Sequence, residues 1–333
     1  MKKYLLVIMT TISALLLMSV MLVFMLNRDV EAESLFLTTG DNPDGQSAFL
    51  MDPDVAYEAG TGNDKEGYFM IPLEAGIGEK DVKITEDPDN MSTLITIPIT
   101  DPEFYYMNNL SGSREHINAV EFNTNGKEVL LEIKTDEVTA AKTMFGEGSL
   151  YIRFDTPDEV YKRVVFIDAG HGGEDNGTEA YGIFEKDITL GVAEKIEIPE
   201  DTGLGVYFSR SADEMLTGRE RTQAAKAVNA EYIISLHTNA DKDTRITRGV
   251  EISYDDPSVK DMANELAREF EKIDGVYSVE LKDGLELEVF KDSEAPVILI
   301  RLGYMTNRTE AELLDKDGFQ TSAAKAIEKV IFK

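Results

Sequence analysis

The sequence predicts an α/β domain at 161–333, a twisted, mostly parallel sheet with helices on both faces, preceded by a small β-rich domain at 67–158. Three observations predict it. Unbroken apolar runs at 164–167, 232–236 and 297–300 read as strands buried on both faces. Helical patterns alternate with those runs, as layered α/β folds require. Upstream, between Tyr68 and Asp155, short apolar runs recur between turn signals, which is strand patterning.

Each element follows in order. Lys2 and Lys3 precede an uncharged stretch from Tyr4 to Leu26. As a helix rising 1.5 Å per residue, that stretch spans a hydrocarbon core of about 30 Å. Residues 1–32 are therefore expected to be a membrane anchor, with the domains outside the cytoplasm. The alternative is a signal peptide cleaved near Val30-Glu31-Ala32, giving a secreted protein. Residues 33–66, rich in Gly, Asp, Asn and Pro, read as a linker. The β-rich segment shows no catalytic constellation, and His116, in a polar stretch with no second ligand at helical or hairpin spacing, reads as a surface histidine.

In the C-terminal domain, the run at 164–167 ends in Asp168-Ala169-Gly170-His171-Gly172-Gly173. A strand around Tyr207-Phe208 and a helix from about Asp213 to Asn229 follow. The run at 232–236 ends at His237, and the alternation at 250–254 predicts an edge strand. Pro257 opens a helix running to about Ile273, since its missing N–H is harmless in a first turn. After the run at 297–300, two helical stretches, 310–314 and 319–331, close the chain.

Composition narrows the chemistry. Lys+Arg total 33 against 63 Asp+Glu, a net charge of −30. No nucleic acid is expected as a partner, because such binding rests on basic patches. The same charge opposes electrostatic docking on anionic lipid, which leaves the N-terminal segment as the membrane contact. With no cysteine, disulfides, thiolate metal sites and a Cys nucleophile are excluded. With no Trp, an indole sugar platform is excluded as well.

His171 and His237 each follow the carboxyl end of a predicted strand, the edge where open parallel sheets bind ligands. Glu185, ahead of the helical start at Asp187, is the candidate third ligand. His, Glu and His with a fourth position open is the catalytic zinc pattern. On spacing alone two other readings stay open: histidines that merely bond their loops, and a Gly-rich phosphate cradle, although no Gly-Lys-Ser/Thr follows.

The blocks Val165–Gly173, Glu185–Leu190, Ile233–Ala240, Gly249–Glu251 and Gly303–Asn307 together closely resemble the zinc-dependent N-acetylmuramoyl-L-alanine amidase family. The resemblance runs from about Arg163 to the C-terminus, roughly half the chain. It implies a peptidoglycan hydrolase that cuts the amide between N-acetylmuramic acid and the L-alanine of the stem peptide. It implies one zinc per chain on His171, Glu185 and His237, and substrate contacts from Asn239 and Arg221.

Two departures stand out. Ile198-Pro199 interrupts the helix after Glu185 where the family usually continues. More serious, Arg301 stands where the family carries its catalytic glutamate. Arginine, with a pKa above about 12, cannot act as a base. Two unit charges 4 Å apart interact by about 4 kcal/mol at an effective dielectric of 20. Arg301 is therefore expected to turn from the metal or to be neutralised by Glu174 or Glu251, which are also the candidate substitute bases. The alternative to an active amidase is a zinc-binding, catalytically silent module that holds stem peptide or a partner. A hydrolase of a different amide is the third reading.

Overall fold

The computed structural model describes residues 65–88, 90–101, 103–199, 202–241, 246–285 and 289–333. The expected anchor at 1–32 and nearly all of the linker lie outside these residues. Among the described residues no helix is long and apolar enough to cross a membrane.

The N-terminal part is built from antiparallel strands. They are β1 (Phe69–Pro72), β2 (Lys83–Asp87), β3 (Ser92–Pro98), β4 (Ser111–Gly112), β5 (Ile117–Thr124), β6 (Glu128–Thr135), β7 (Ala140–Gly146) and β8 (Ser149–Asp155), with a short helix α1 (Phe104–Met107). Two four-stranded sheets form, in the orders β4-β1-β8-β7 and β2-β3-β6-β5. Alternate residues of each strand face inward, and Phe69, Ile71, Ile95, Ile97, Leu131, Ile133 and Ile152 from both sheets meet in one core. A single turn, α2 (Pro157–Val160), leads out of β8.

The C-terminal part alternates strands and helices. It runs β9 (Arg163–Ala169), a hairpin of β10 (Glu179–Ala180) and β11 (Ile183–Phe184), α3 (Glu185–Ala193), β12 (Leu204–Phe208), α4 (Gly218–Ala227), β13 (Tyr232–Asn239), β14 (Val250–Tyr254), α5 (Lys260–Phe270), β15 (Val279–Asp283), β16 (Val297–Tyr304), α6 (Arg308–Leu314) and α7 (Asp317–Ile331). The six-stranded sheet has the order β12-β9-β13-β16-β14-β15. β9, β12, β13 and β16 are mutually parallel, and β14 runs antiparallel to β16. One face packs Ile167, Ile234, Ile252 and Ile300 against Val192 of α3, Leu266 of α5 and Ile327 of α7. The other packs Val164, Phe166, Ile233 and Val297 against Ala225 of α4. Helices cover both faces, and the sheet is mostly parallel.

Three local expectations change. β14 is not an edge strand, because β15 pairs beyond it; Val279–Asp283, with Glu and Lys at alternate positions, carries no continuous apolar signal. α4 begins only at Gly218, where the Thr217 hydroxyl and the Glu220 carboxylate cap each other's backbone amides. Pro257 opens a 3-10 turn, Pro257–Val259, and the α-helix proper is Lys260–Phe270.

Candidate metal centre

β9 and β13 are adjacent and parallel, so their carboxyl ends deliver His171 and His237 to the same edge of the sheet. The hairpin β10–β11 then brings the chain back so that Glu185, the first residue of α3, arrives between them. Glu185 Oε1 lies 3.1 Å from His237 Nδ1 and 3.4 Å from His171 Nε2. Tetrahedral bonds of about 2.0–2.2 Å place donor atoms about 3.4 Å apart, so the observed separations fit a zinc-sized ion. The carboxylate is held from behind: Thr178 N donates to Oε2 at 2.8 Å and Thr238 N to Oε1 at 2.7 Å. Glu185 is 3% exposed. Burial opposes its ionisation, but the two imidazoles outweigh that and hold its carboxyl well below the usual range.

Each histidine is constrained. His171 sits in the left-handed region at φ +62, a strained state for a residue with a Cβ. Its Nδ1 pairs with Asp175 Oδ2 at 2.8 Å, which leaves Nε2 pointing at Glu185. Burial alone would depress the His171 imidazole; Glu185 and Asp175 reverse that and raise it. Close approach explains two glycines. A Cβ at Gly170 would lie 2.5 Å from His237 Cε1, and one at Gly177 2.6 Å from His171 Cδ2.

Two buried arginines hold the strand end that carries His171. Arg221 Nη1 meets Asp168 Oδ1 at 2.6 Å and the Ala169 carbonyl at 2.8 Å, and Nη2 donates to the His171 carbonyl at 2.7 Å. Ser235 Oγ donates to the other Asp168 oxygen at 2.7 Å. Arg210, 1% exposed, donates to the carbonyls of Ala169, Gly170 and Lys186. Arg221, expected to contact substrate, has its guanidinium buried here and engaged in holding the loop that carries His171. Asn239, half-buried, donates through Nδ2 to Glu251 Oε2 at 3.4 Å.

Arg301 on β16 sits opposite His237 on β13 and lines the same cleft, about 480 Å³, with His171, Asp175, Glu185, His237 and Thr238. It does not turn away. Glu251 on β14, directly across the ladder, accepts from Arg301 Nη1 at 2.5 Å and from Lys282 Nζ at 2.6 Å. Of the two expected neutralising carboxylates, Glu251 is the one in contact. Glu174 is exposed on the loop after His171 and is not among the residues lining the cleft.

His116 is corrected in one respect. The turn between β6 and β7 brings Asp136 Oδ1 and Glu137 Oε1 within 3.3 and 3.1 Å of its Nδ1, so second ligands do exist. Sequence reasoning also missed Asp175, Arg210, Asp168 and Lys282. Only Asp175 had a local signal, lying four residues after a histidine in a glycine-rich turn.

A His–Glu–His set opening into a cleft at the strand ends of an α/β sheet defines a metallohydrolase-like site. Residues 165–333, half the chain, match the sequence profile of N-acetylmuramoyl-L-alanine amidase, and the chain belongs to that family. It is 34% identical over 170 residues to the uncharacterized protein YqiI of Bacillus subtilis, covering 50% of this chain and 81% of that one. It is 28% identical over 172 residues to the N-acetylmuramoyl-L-alanine amidase LytC of Bacillus subtilis, covering 50% of this chain but only 34% of LytC. Among solved structures, N-acetylmuramoyl-L-alanine amidase AmiC2 of Nostoc punctiforme is 31% identical, with a TM-score of 0.48, over 51% of this chain and 95% of that one.

Proposed function

We propose that the C-terminal domain is a slow zinc amidase that hydrolyses the bond between N-acetylmuramic acid and L-alanine in peptidoglycan. One observation carries it: His171, Glu185 and His237 converge, with fitting separations, on a cleft of about 480 Å³. Zinc held there would lower the pKa of a water toward about 7 and polarise the scissile carbonyl. Asp175 fixes the His171 tautomer, and Arg221 and Arg210 fix the loop behind it. The Arg301 guanidinium, on the cleft wall, stabilises negative charge developing on the carbonyl oxygen.

The slowness follows from proton transfer. The carboxylates lining the cleft are Asp175 and Glu185, the first engaged by His171 and the second by both histidines. Glu251 is engaged by Arg301 and Lys282. General-base assistance is typically worth about 10²–10⁴-fold, and this chain supplies no such group among the described residues. That engagement also favours the second reading, a zinc-binding module that holds stem peptide without cutting it.

The test is peptide release from purified peptidoglycan by wild type, Arg301→Glu and Arg301→Ala at equal zinc loading. We expect zinc-dependent release by the wild type and release about 10²–10⁴-fold faster by Arg301→Glu. Arg301→Ala should be slower than wild type. Release by Arg301→Glu alone assigns the silent module, and no release by any of the three overturns the amidase reading. The apolar segment at 4–26 would hold the enzyme outside the cytoplasm. Protease digestion of the domain on intact cells checks this, and release into the medium would mark cleavage instead.

A further inference from the structure

We propose that Glu310 is a positioning residue for Arg301: its carboxylate fastens β14 to β16 just beyond the point where their ladder stops. The role of Arg301 in the cleft rests on the amidase reading; the fastening of its strand does not.

Arg301 occupies a weak point of the sheet. Toward β14, antiparallel pairing runs from Tyr254 opposite Ile298 to Glu251 opposite Arg301 and goes no further. Toward β13, parallel pairing is regular from Ile233 opposite Val297 to His237 opposite Arg301, and the next partners are Asn239 and Tyr304. β16 thus spends two residues where β13 spends one, a bulge that breaks the register. On both flanks Arg301 is the last residue held in step. Ladder ends open most readily, because few backbone bonds oppose the motion.

Glu310 closes that end. It is the third residue of α6, 7% exposed, and is not among the residues lining the metal cleft. Its Oε1 accepts from the Gly249 amide and its Oε2 from the Tyr304 amide, both at 2.7 Å. Gly249 lies just before Glu251 on one chain, and Tyr304 just after Arg301 on the other. One carboxylate therefore spans both chains past the Arg301–Glu251 pair and satisfies a backbone donor on each. The space it fills is closed to other groups: a Cβ at Gly303 would lie 2.9 Å from Glu310 Cγ and 3.0 Å from Cδ. Burial disfavours the charged carboxylate, and the two amides offset that only in part. α6 does not need the group as a cap, since Asn307 Oδ1 already accepts from the Thr309 and Glu310 amides. What Glu310 holds is the strand pair. With both strands held, Arg301 Nη1 stays on Glu251 and the guanidinium stays on the cleft wall.

The experiment follows the guanidinium N–H signals of Arg301 by NMR in the zinc-loaded full chain carrying isotope-labelled arginine. Their loss in Arg301→Ala assigns them. Wild type should give a sharp Arg301 signal protected from solvent exchange, and Glu310→Gln, which keeps one acceptor, should broaden it. Should Glu310→Gln fail to fold, Gly303→Ala displaces the same carboxylate without altering its charge and should have the same effect. In peptide release, Glu310→Gln should lower kcat by up to the loss seen in Arg301→Ala, with KM unchanged. In the Arg301→Ala background it should have no further effect, whereas independent sites would add. A wild type without a protected Arg301 signal overturns the positioning role. So does a signal unchanged in the variant, or an equal fold-loss of kcat in both backgrounds. Broadening in the variant with no peptide release by wild type would keep the positioning role and remove the amidase.

Discussion

The two halves of this molecule each bring a histidine together with carboxylates, and they do so to opposite effect. In the β-sandwich, His116 meets Asp136 and Glu137, whose side chains are 57% and 51% exposed. In the α/β domain, Glu185, 3% exposed, lies between His171 and His237. Donor chemistry is shared; the surroundings are not. The exposed carboxylates are hydrated and free to exchange partners, so their pairing with His116 contributes little. Glu185 is bound by two backbone amides, and His171 by Asp175, so the buried cluster has its geometry set before any ion arrives. What separates a centre from a coincidence of side chains is the shell that orients the donors.

The largest expected effect breaks that shell. Arg221→Met leaves Asp168 as a buried carboxylate with Ser235 as its remaining side-chain donor, and frees the His171 carbonyl. Breaking such a buried pair costs about 3–5 kcal/mol. The exposed pair Lys226–Glu294, at 2.9 Å, is the control; Lys226→Met should leave the melting temperature unchanged within error. A melting curve for each variant decides it, and equal shifts would show that burial is not what distinguishes the two pairs.

A smaller effect tests orientation alone. Asp175→Ala keeps all three ligands and removes the partner of His171 Nδ1 together with the acceptor of the Gly177 amide, both of which hold the loop around His171. Zinc affinity should fall about 10–100-fold by competition with a chelating dye. The same dye titration on Asp136→Ala should show no change in the tight site.

The smallest effect lies in the sandwich. Burial raises the Glu86 carboxyl above its ordinary value, opposed by the Ala141 amide at 2.7 Å. The sign follows: the charged form is disfavoured in the folded state, so the penalty is absent below the ordinary carboxylate range and grows as pH rises through the raised value. Glu86→Gln, which can still accept from Ala141, should melt higher than wild type at about pH 7.5 and equally at about pH 4. A gain at acid pH would contradict the assigned cause.

Much of this was legible in the sequence, for a physical reason. Strands buried on both faces must be continuously apolar, so 164–167, 232–236 and 297–300 announced themselves, and the residues just past them had to lie at one sheet edge. β15 was hidden because an edge strand at half-burial needs no apolar run. The site was legible where it used histidine and glycine, which are scarce or conformationally special. It was illegible at Arg210 and Asp168, residue types that are common everywhere. Nothing local marks Arg210 or Asp168 as buried; only the fold brings them to the loop. Arg301 was visible as a departure, yet its partner was settled only by the register that sets Glu251 across from it.

The central claim is that the buried cluster, and not the exposed one, holds a single zinc. Metal content of the full chain after dialysis against trace zinc tests it directly, in wild type, His116→Ala and the double variant His171→Ala, His237→Ala. The account predicts one zinc per chain in wild type and in His116→Ala, and essentially none in the double variant. Stoichiometric zinc retained by the double variant would contradict it.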